Sequence, residues 1–129
     1  MVMKKKRVTN VVPKPAFTDK RGKIFDLIEE SVGHIGMITF TKGAVRAKHY
    51  HLRSTQYSYI LEGKIKLTVS DTKGKHKRSY ILKPGTLSTI PPRVVHTYTA
   101  LTPARILDMT TLNRRARGYE QDTRRVDIV

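Results

Sequence analysis

The sequence predicts an all-β fold, a sandwich or barrel of short strands in a single domain. Three observations carry this. Runs rich in β-branched and aromatic residues recur from His34 to Leu112, divided at near-regular intervals by Gly- and Pro-containing turns. The clearest run alternates: Ile65, Leu67 and Val69 face one way, Lys64, Lys66 and Thr68 the other. No stretch of convincing length has helical periodicity, and no solenoid-type repeat is present.

The elements follow in order. Residues 1–16 carry charge, Pro13 and Pro15, and little periodicity, and read as a basic N-terminal arm or edge strand. Asp19-Lys20-Arg21-Gly22 is a turn. Lys23 to Glu30 fits either a helical turn or a strand, and its surroundings favour strand. Ile35 to Thr41 ends at Lys42-Gly43, and Val45 to His51 is the next strand. Gln56 to Leu61 stops at Glu62-Gly63, and Lys64 to Ser70 at the turn Asp71-Thr72-Lys73-Gly74. Arg78 to Leu82 leads into Lys83-Pro84-Gly85. Thr86 to Ile90 ends at Pro91-Pro92, Val94 to Leu101 at Thr102-Pro103, and Ala104 to Leu112 is the last strand. The expected division is a barrel over residues 17–112 and a basic C-terminal tail over 113–129.

Composition narrows the function. The chain has 129 residues, enough for one domain with a real core. No apolar run is long enough to cross a bilayer. The basic start, Met1 to Arg7, is followed by Thr9, Asn10 and Pro13 rather than an apolar segment, which argues against a secretory signal and for a cytoplasmic protein. There is no cysteine, hence no disulfide framework and no thiolate metal site. Lys and Arg number 26 against 10 Asp and Glu, a formal net charge of +16. Such a field favours anionic partners: nucleic acid, a membrane surface or a phosphorylated metabolite. Nucleic acid is disfavoured, because the chain offers neither a helix to read a groove nor a stacking series of aromatics. Much of the charge sits in terminal clusters of the kind that form mobile arms, Lys4-Lys5-Lys6-Arg7 and Arg114-Arg115-Ala116-Arg117 with Arg124-Arg125.

The chemistry is concentrated in His49-Tyr50-His51-Leu52-Arg53-Ser54-Thr55-Gln56. Histidines one residue apart on a strand share a face. If Leu52 to Thr55 forms a hairpin loop, Gln56 sits opposite His51, with Cβ atoms about 5 Å apart. Two imidazoles and a carboxamide then share one patch of a sheet.

These residues resemble the cupin superfamily. Its first motif, G-x5-H-x-H-x(3,4)-E-x6-G, is matched at Gly43, His49, His51, Gln56 and Gly63, with Gln in place of Glu. Its second, G-x5-P-x-G-x2-H-x3-N, is matched at Gly85, Pro91 and His96, with Arg93 for the Gly and Ala100 for the Asn. The resemblance implies a double-stranded β-helix, a jelly-roll barrel with a site inside one end, and a homodimer. It further implies that His49, His51, Gln56 and His96 converge as ligands of a divalent metal such as Zn, Fe, Ni, Cu or Mn. A neutral amide oxygen at Gln56 is a weaker ligand than a carboxylate, so metal binding is expected to be weak or absent.

A narrower resemblance rests on Asp19 to Asp26, Val45 to His51 and Tyr119 to Thr123. These stretches are similar to small cupins of polysaccharide and nucleotide-sugar pathways, the dTDP-4-dehydrorhamnose 3,5-epimerase group and the dTDP-4-keto-6-deoxyglucose 3,4-ketoisomerases. A ketoisomerase pattern R-G-x-H-A-H-x4-Q is matched at Arg46, His49, His51 and Gln56, while Ala47 and Tyr50 depart from it. The resemblance implies a keto-sugar isomerase or epimerase acting on a dTDP-sugar. His49 or His51 would be the base, Tyr98 a proton donor and Arg46 the diphosphate anchor. Strict alternation places Arg46 on the opposite face from His49, so a bulge or a turn near Gly43 has to re-aim it. The alternatives are a metal-dependent dioxygenase or lyase, and a non-enzymatic sugar- or anion-binding module.

Overall fold

The computed structural model describes residues 7–127, so Lys4, Lys5 and Lys6 of the N-terminal basic run lie outside the described residues. Twelve strands and one short helix follow in order: β1 (Thr9–Val11), β2 (Phe17–Asp19), β3 (Gly22–Ile24), β4 (His34–Phe40), β5 (Val45–His51), β6 (Gln56–Glu62), β7 (Ile65–Ser70), β8 (Arg78–Leu82), β9 (Leu87–Ile90), β10 (Val95–Ala100), β11 (Ala104–Thr110), α1 (Gly118–Asp122) and β12 (Thr123–Arg125). Two antiparallel five-stranded sheets face each other, ordered β1-β9-β6-β11-β4 and β12-β5-β10-β7-β8. This is the jelly-roll barrel that the turn spacing and the paired motifs imply. No described helix is long and apolar enough to cross a membrane.

Alternation puts one face of every strand between the sheets. Ile60, Ile65, Leu67, Leu82, Ile90 and Ile106 are each 1% exposed or less and fill the middle of the sandwich. Each such side chain contributes on the order of 2 kcal/mol. The lysines Lys64 and Lys66 of the alternating run face solvent, as their spacing requires. Gly63 ends β6 at φ 83°, and a Cβ there would run into the Pro103 carbonyl oxygen and Ala104, so the tight exit to β7 requires glycine.

Three expectations change. Of the strand expected over Lys23 to Glu30 only Lys23 and Ile24 are extended, within β3, which pairs with β2 as a small hairpin. Ile28 and Val32 instead pack over the outer face of the first sheet, against Tyr57, Leu87 and Met109, and the Tyr57 hydroxyl donates to Glu30. Those apolar residues cover a sheet rather than extend one. Secondly, β5 and β6 are not a hairpin. They belong to opposite sheets, and Leu52 to Thr55 arches between them. Thirdly, the chain beyond 112 contains α1 and β12, and β12 pairs with β5 through Thr123 with His51 and Arg125 with His49. Near the other end of the chain, β1 is an edge strand on β9.

Candidate functional site

The inner faces of the two sheets turn polar towards one end of the barrel. On β10, His96 lies opposite His49 of β5, and the two rings are 4.7 Å apart. His51, two residues along the same face, is 4.9 Å from His49 and 5.6 Å from His96. The three imidazoles are buried, and each offers a nitrogen within 4.8 Å of the others. From the facing sheet, Gln56 and Asp108 project between the same walls, both buried.

Gln56 reaches His51 across the barrel, not along a hairpin. The arch makes this possible, and Asp122 shapes the arch. Its carboxylate accepts from the backbone N–H of Arg53 at 2.8 Å and of Ser54 at 3.4 Å, while its carbonyl accepts from Leu52 N–H at 2.8 Å. Buried carboxylates are retained where such donors satisfy them. A chain of side-chain bonds then fixes the site. Arg114 Nη2 donates to Asp108 Oδ2 at 2.9 Å, and Gln56 Nε2 donates to Asp108 Oδ1 at 2.6 Å. That leaves Gln56 Oε1 as acceptor for His51 Nε2–H at 2.9 Å, and His51 Nδ1 accepts from the Thr123 hydroxyl at 3.2 Å. Asp108 and Arg114 thus select the tautomer of His51 through Gln56.

Arg46 lies on the histidine side of β5 and is exposed at the cavity mouth. Ala47 and Lys48 have φ 76° and 57°, and the β5–β10 register slips there: His49 opposes His96, but Arg46 opposes Tyr98. The extra residue of this bulge turns Arg46 to the histidine side. The re-aiming that regular alternation forbids therefore occurs, at Ala47-Lys48 rather than at Gly43. Arg46 donates to the Thr39 carbonyl at 3.2 Å and lies 5.4 Å over the Phe40 ring.

Above the histidines opens a cavity of about 410 Å³. His49, Gln56 and Tyr98 line it, and Arg46, Lys48, Arg114 and Arg125 supply four cationic groups to its walls. Tyr119 closes one side, its ring 6.1 Å from His49 and 4.6 Å from the Arg114 guanidinium. Tyr98 is buried, accepts from Gln56 Nε2 at 3.3 Å and shares a 2.7 Å bond with Ser58. Sequence reading missed Asp108, Arg114, Asp122 and Thr123 as site residues. The stretch Tyr119 to Thr123 was the available signal; Asp108, in an ordinary alternating strand, gave none.

Electrostatics keeps the imidazoles neutral. Burial, then His96, His51, Arg125 and Arg114, push the His49 pKa down to about 2. Burial brings His96 down to about 3, against a hydrogen bond to the Val94 carbonyl that raises it. His51 is lowered by burial, with Gln56, Asp122 and Asp108 working the other way. Burial raises the Tyr98 phenol and the Asp108 carboxyl, the latter opposed by Arg114.

Among the described residues, the buried nitrogens His49 Nδ1 and His96 Nε2 have no partner, so two imidazoles could serve a metal. His51 does not join them: its Nε2 is committed as a donor to Gln56, whose oxygen is thereby taken too. The set of His49, His51, Gln56 and His96, bonded in this way, does not fit a tightly held divalent metal. Gln56→Glu should change that. It places a second carboxylate against Asp108, which weakens the metal-free fold by about 2 kcal/mol, and it adds a charged ligand. The expected outcome is tighter zinc binding by calorimetry together with recovery of Tm on adding zinc. Unchanged zinc affinity would place residue 56 outside coordinating reach.

The family described as "Cupin domain" matches residues 36–110. No curated protein matches the chain by sequence. Among solved structures, the sugar 3,4-ketoisomerase QdtA of Thermoanaerobacterium thermosaccharolyticum, in complex with TDP, is 20% identical with a TM-score of 0.76 over 95% of this chain and 90% of its own. A dTDP-4-dehydrorhamnose 3,5-epimerase from Sulfolobus tokodaii is 20% identical, with a TM-score of 0.73 over 92% of this chain and 76% of its own. ChmJ, a 3'-monoepimerase from Streptomyces bikiniensis in complex with dTDP-quinovose, is 15% identical, with a TM-score of 0.73 over 92% of this chain and 69% of its own. At these identities the likeness is one of fold.

Proposed function

This chain belongs to the cupin domain family, and we propose that it binds a nucleotide-linked keto-sugar in its barrel and catalyses proton transfer at the carbon beside the carbonyl. One observation carries the reading: a cavity with a neutral, buried imidazole in its wall and four cationic side chains around it. Two of the fold neighbours named above, QdtA solved with TDP and ChmJ solved with dTDP-quinovose, support the same ligand class.

In this reading Arg46, Lys48 and Arg125 hold the diphosphate, and the sugar lies over His49. A neutral imidazole takes the proton from the carbon alpha to the carbonyl and leaves an enediolate. The imidazolium then returns a proton to the former carbonyl carbon, while the former carbonyl oxygen gains a proton and the neighbouring hydroxyl loses one, which moves the ketone by one position; or a donor on the other face protonates the same carbon, which inverts it and leaves the first proton on the imidazole. His49 is the base of choice, because it lines the cavity while His51 is bound on both ring nitrogens. Arg125 is among the groups that depress His49, after burial and the two neighbouring imidazoles, so a diphosphate that neutralises it raises the basicity of His49 as substrate binds. Tyr98, kept protonated by burial, is the hydroxyl nearest in role to a proton donor for the sugar oxygen. Homodimerisation belongs to the same proposal; Ile35 and Met37 on edge strand β4 are 65% and 55% exposed and offer an apolar contact.

Arg46→Ala tests the binding half. Loss of a guanidinium–phosphate contact weakens dTDP binding about 10- to 100-fold, read by calorimetry. Unchanged affinity would remove Arg46 from the diphosphate site.

A further inference from the structure

A second concavity lies between the residues leading into β1, the end of β7, the outer strand β8 and the turn before β10. Its volume is about 760 Å³, larger than the cavity over the histidines. Arg7, Arg78 and Arg93 border it, with His76 and Tyr80 among them. Among the described residues, Asp71 is the one carboxylate on its wall. That carboxylate is already engaged: Oδ1 accepts from the backbone N–H of Lys73 and of Lys75, both at 2.9 Å, and Oδ2 lies 4.0 Å from His76 Nε2. Among the described residues, none of the three guanidinium groups takes part in an ion pair.

The backbone adds a second, independent sign. Arg93 and His76 both hold left-handed conformations, at φ 63° and 58°. Glycine adopts that region at no steric cost, whereas a side chain there is strained. The structural duty of the Arg93 turn is a backbone one: its N–H donates to the His51 carbonyl at 2.7 Å. Glycine would perform it equally well. What glycine lacks is the guanidinium on the groove wall, and strained residues of this kind gather at binding sites.

We propose that this groove binds a phosphorylated small molecule, independently of the ligand in the histidine cavity. Unpaired guanidinium groups around a concave wall concentrate positive potential, and their forked N–H groups match phosphate oxygens. The half-buried Tyr80 supplies a flat surface between them.

Inorganic pyrophosphate titrated into the isotope-labelled full chain, followed by NMR, tests this. Saturable shifts are expected at residues 76–80 and 92–94, with a separate set at 46–49 and 119 from the histidine cavity. Arg93→Gly should weaken the first set at least tenfold and raise Tm by roughly 2–5 °C, as the strained turn relaxes. It should leave the second set, and dTDP affinity, unchanged. Shifts absent from 76–80 and 92–94, shifts there that survive Arg93→Gly, or shifts spread evenly over all exposed Lys and Arg would each overturn the proposal. Shifts confined to the groove would support it while counting against the function proposed for the histidine cavity.

Discussion

Lowering the pH from 7.5 to 5 should cost the fold about 4 kcal/mol through His49 and His96 alone. Both are neutral in the folded protein, with pKa values brought down chiefly by burial to about 2 and about 3. An unfolded chain binds a proton at each near pH 6.5. The unfolded state therefore carries more protons everywhere below that value, and stability falls as pH falls. Their contribution is intact above about 6.5 and declines by roughly 1.4 kcal/mol per group per pH unit below it, until the folded pKa is reached. At pH 5 this is about 2 kcal/mol for each. His51, lowered by the same burial, adds to the loss. Asp108, raised by burial against the pull of Arg114, acts with the opposite sign. Denaturant unfolding at pH 7.5, 6 and 5 reads the effect, and His96→Gln should lessen its slope by one proton. Stability unchanged between pH 7.5 and 5 would mean that the imidazoles are hydrated and charged in the fold.

The other large effect is expected at His49. His49→Gln keeps size and polarity but removes the base. It should slow proton exchange at the sugar by about 10²- to 10⁴-fold and change dTDP affinity little, since the diphosphate contacts lie with Arg46, Lys48 and Arg125. The contrast with Arg46→Ala, weak binding with chemistry retained, separates the two halves of the cavity. Equal losses of affinity in both variants would point to collapse of the site rather than removal of a base.

Much of this was legible residue by residue, for reasons that also set the limits. Ile65, Leu67 and Val69 alternate because β7 has one face in the core, and a period of two survives in any sequence that folds so. The shared face of His49 and His51 follows from the same period. The partner of that face was not legible. Gln56 meets His51 across the barrel because Asp122, 66 or more residues further along the chain, satisfies the arch, and no local signal separates an arch from a hairpin when the loop is short. The bulge at Ala47-Lys48 was required by Arg46 but not announced, since neither residue is the glycine that usually marks a positive φ. The segment after residue 112 was read as a tail from its charge. Yet Arg114 is spent on Asp108 and the Tyr119 ring, and Arg125 lies on the cavity wall, so a basic run there serves a site as well as solvent.

The most direct measurement is deuterium uptake from heavy water into a panel of dTDP-4-keto-sugars, followed by NMR with the wild-type protein. The expected result is enzyme-dependent exchange at a carbon beside the carbonyl, with accumulation of the ketone-shifted or inverted sugar. Tight binding of those sugars without any exchange would contradict it and leave a binding module; neither exchange nor binding across the panel would remove the nucleotide-sugar assignment altogether.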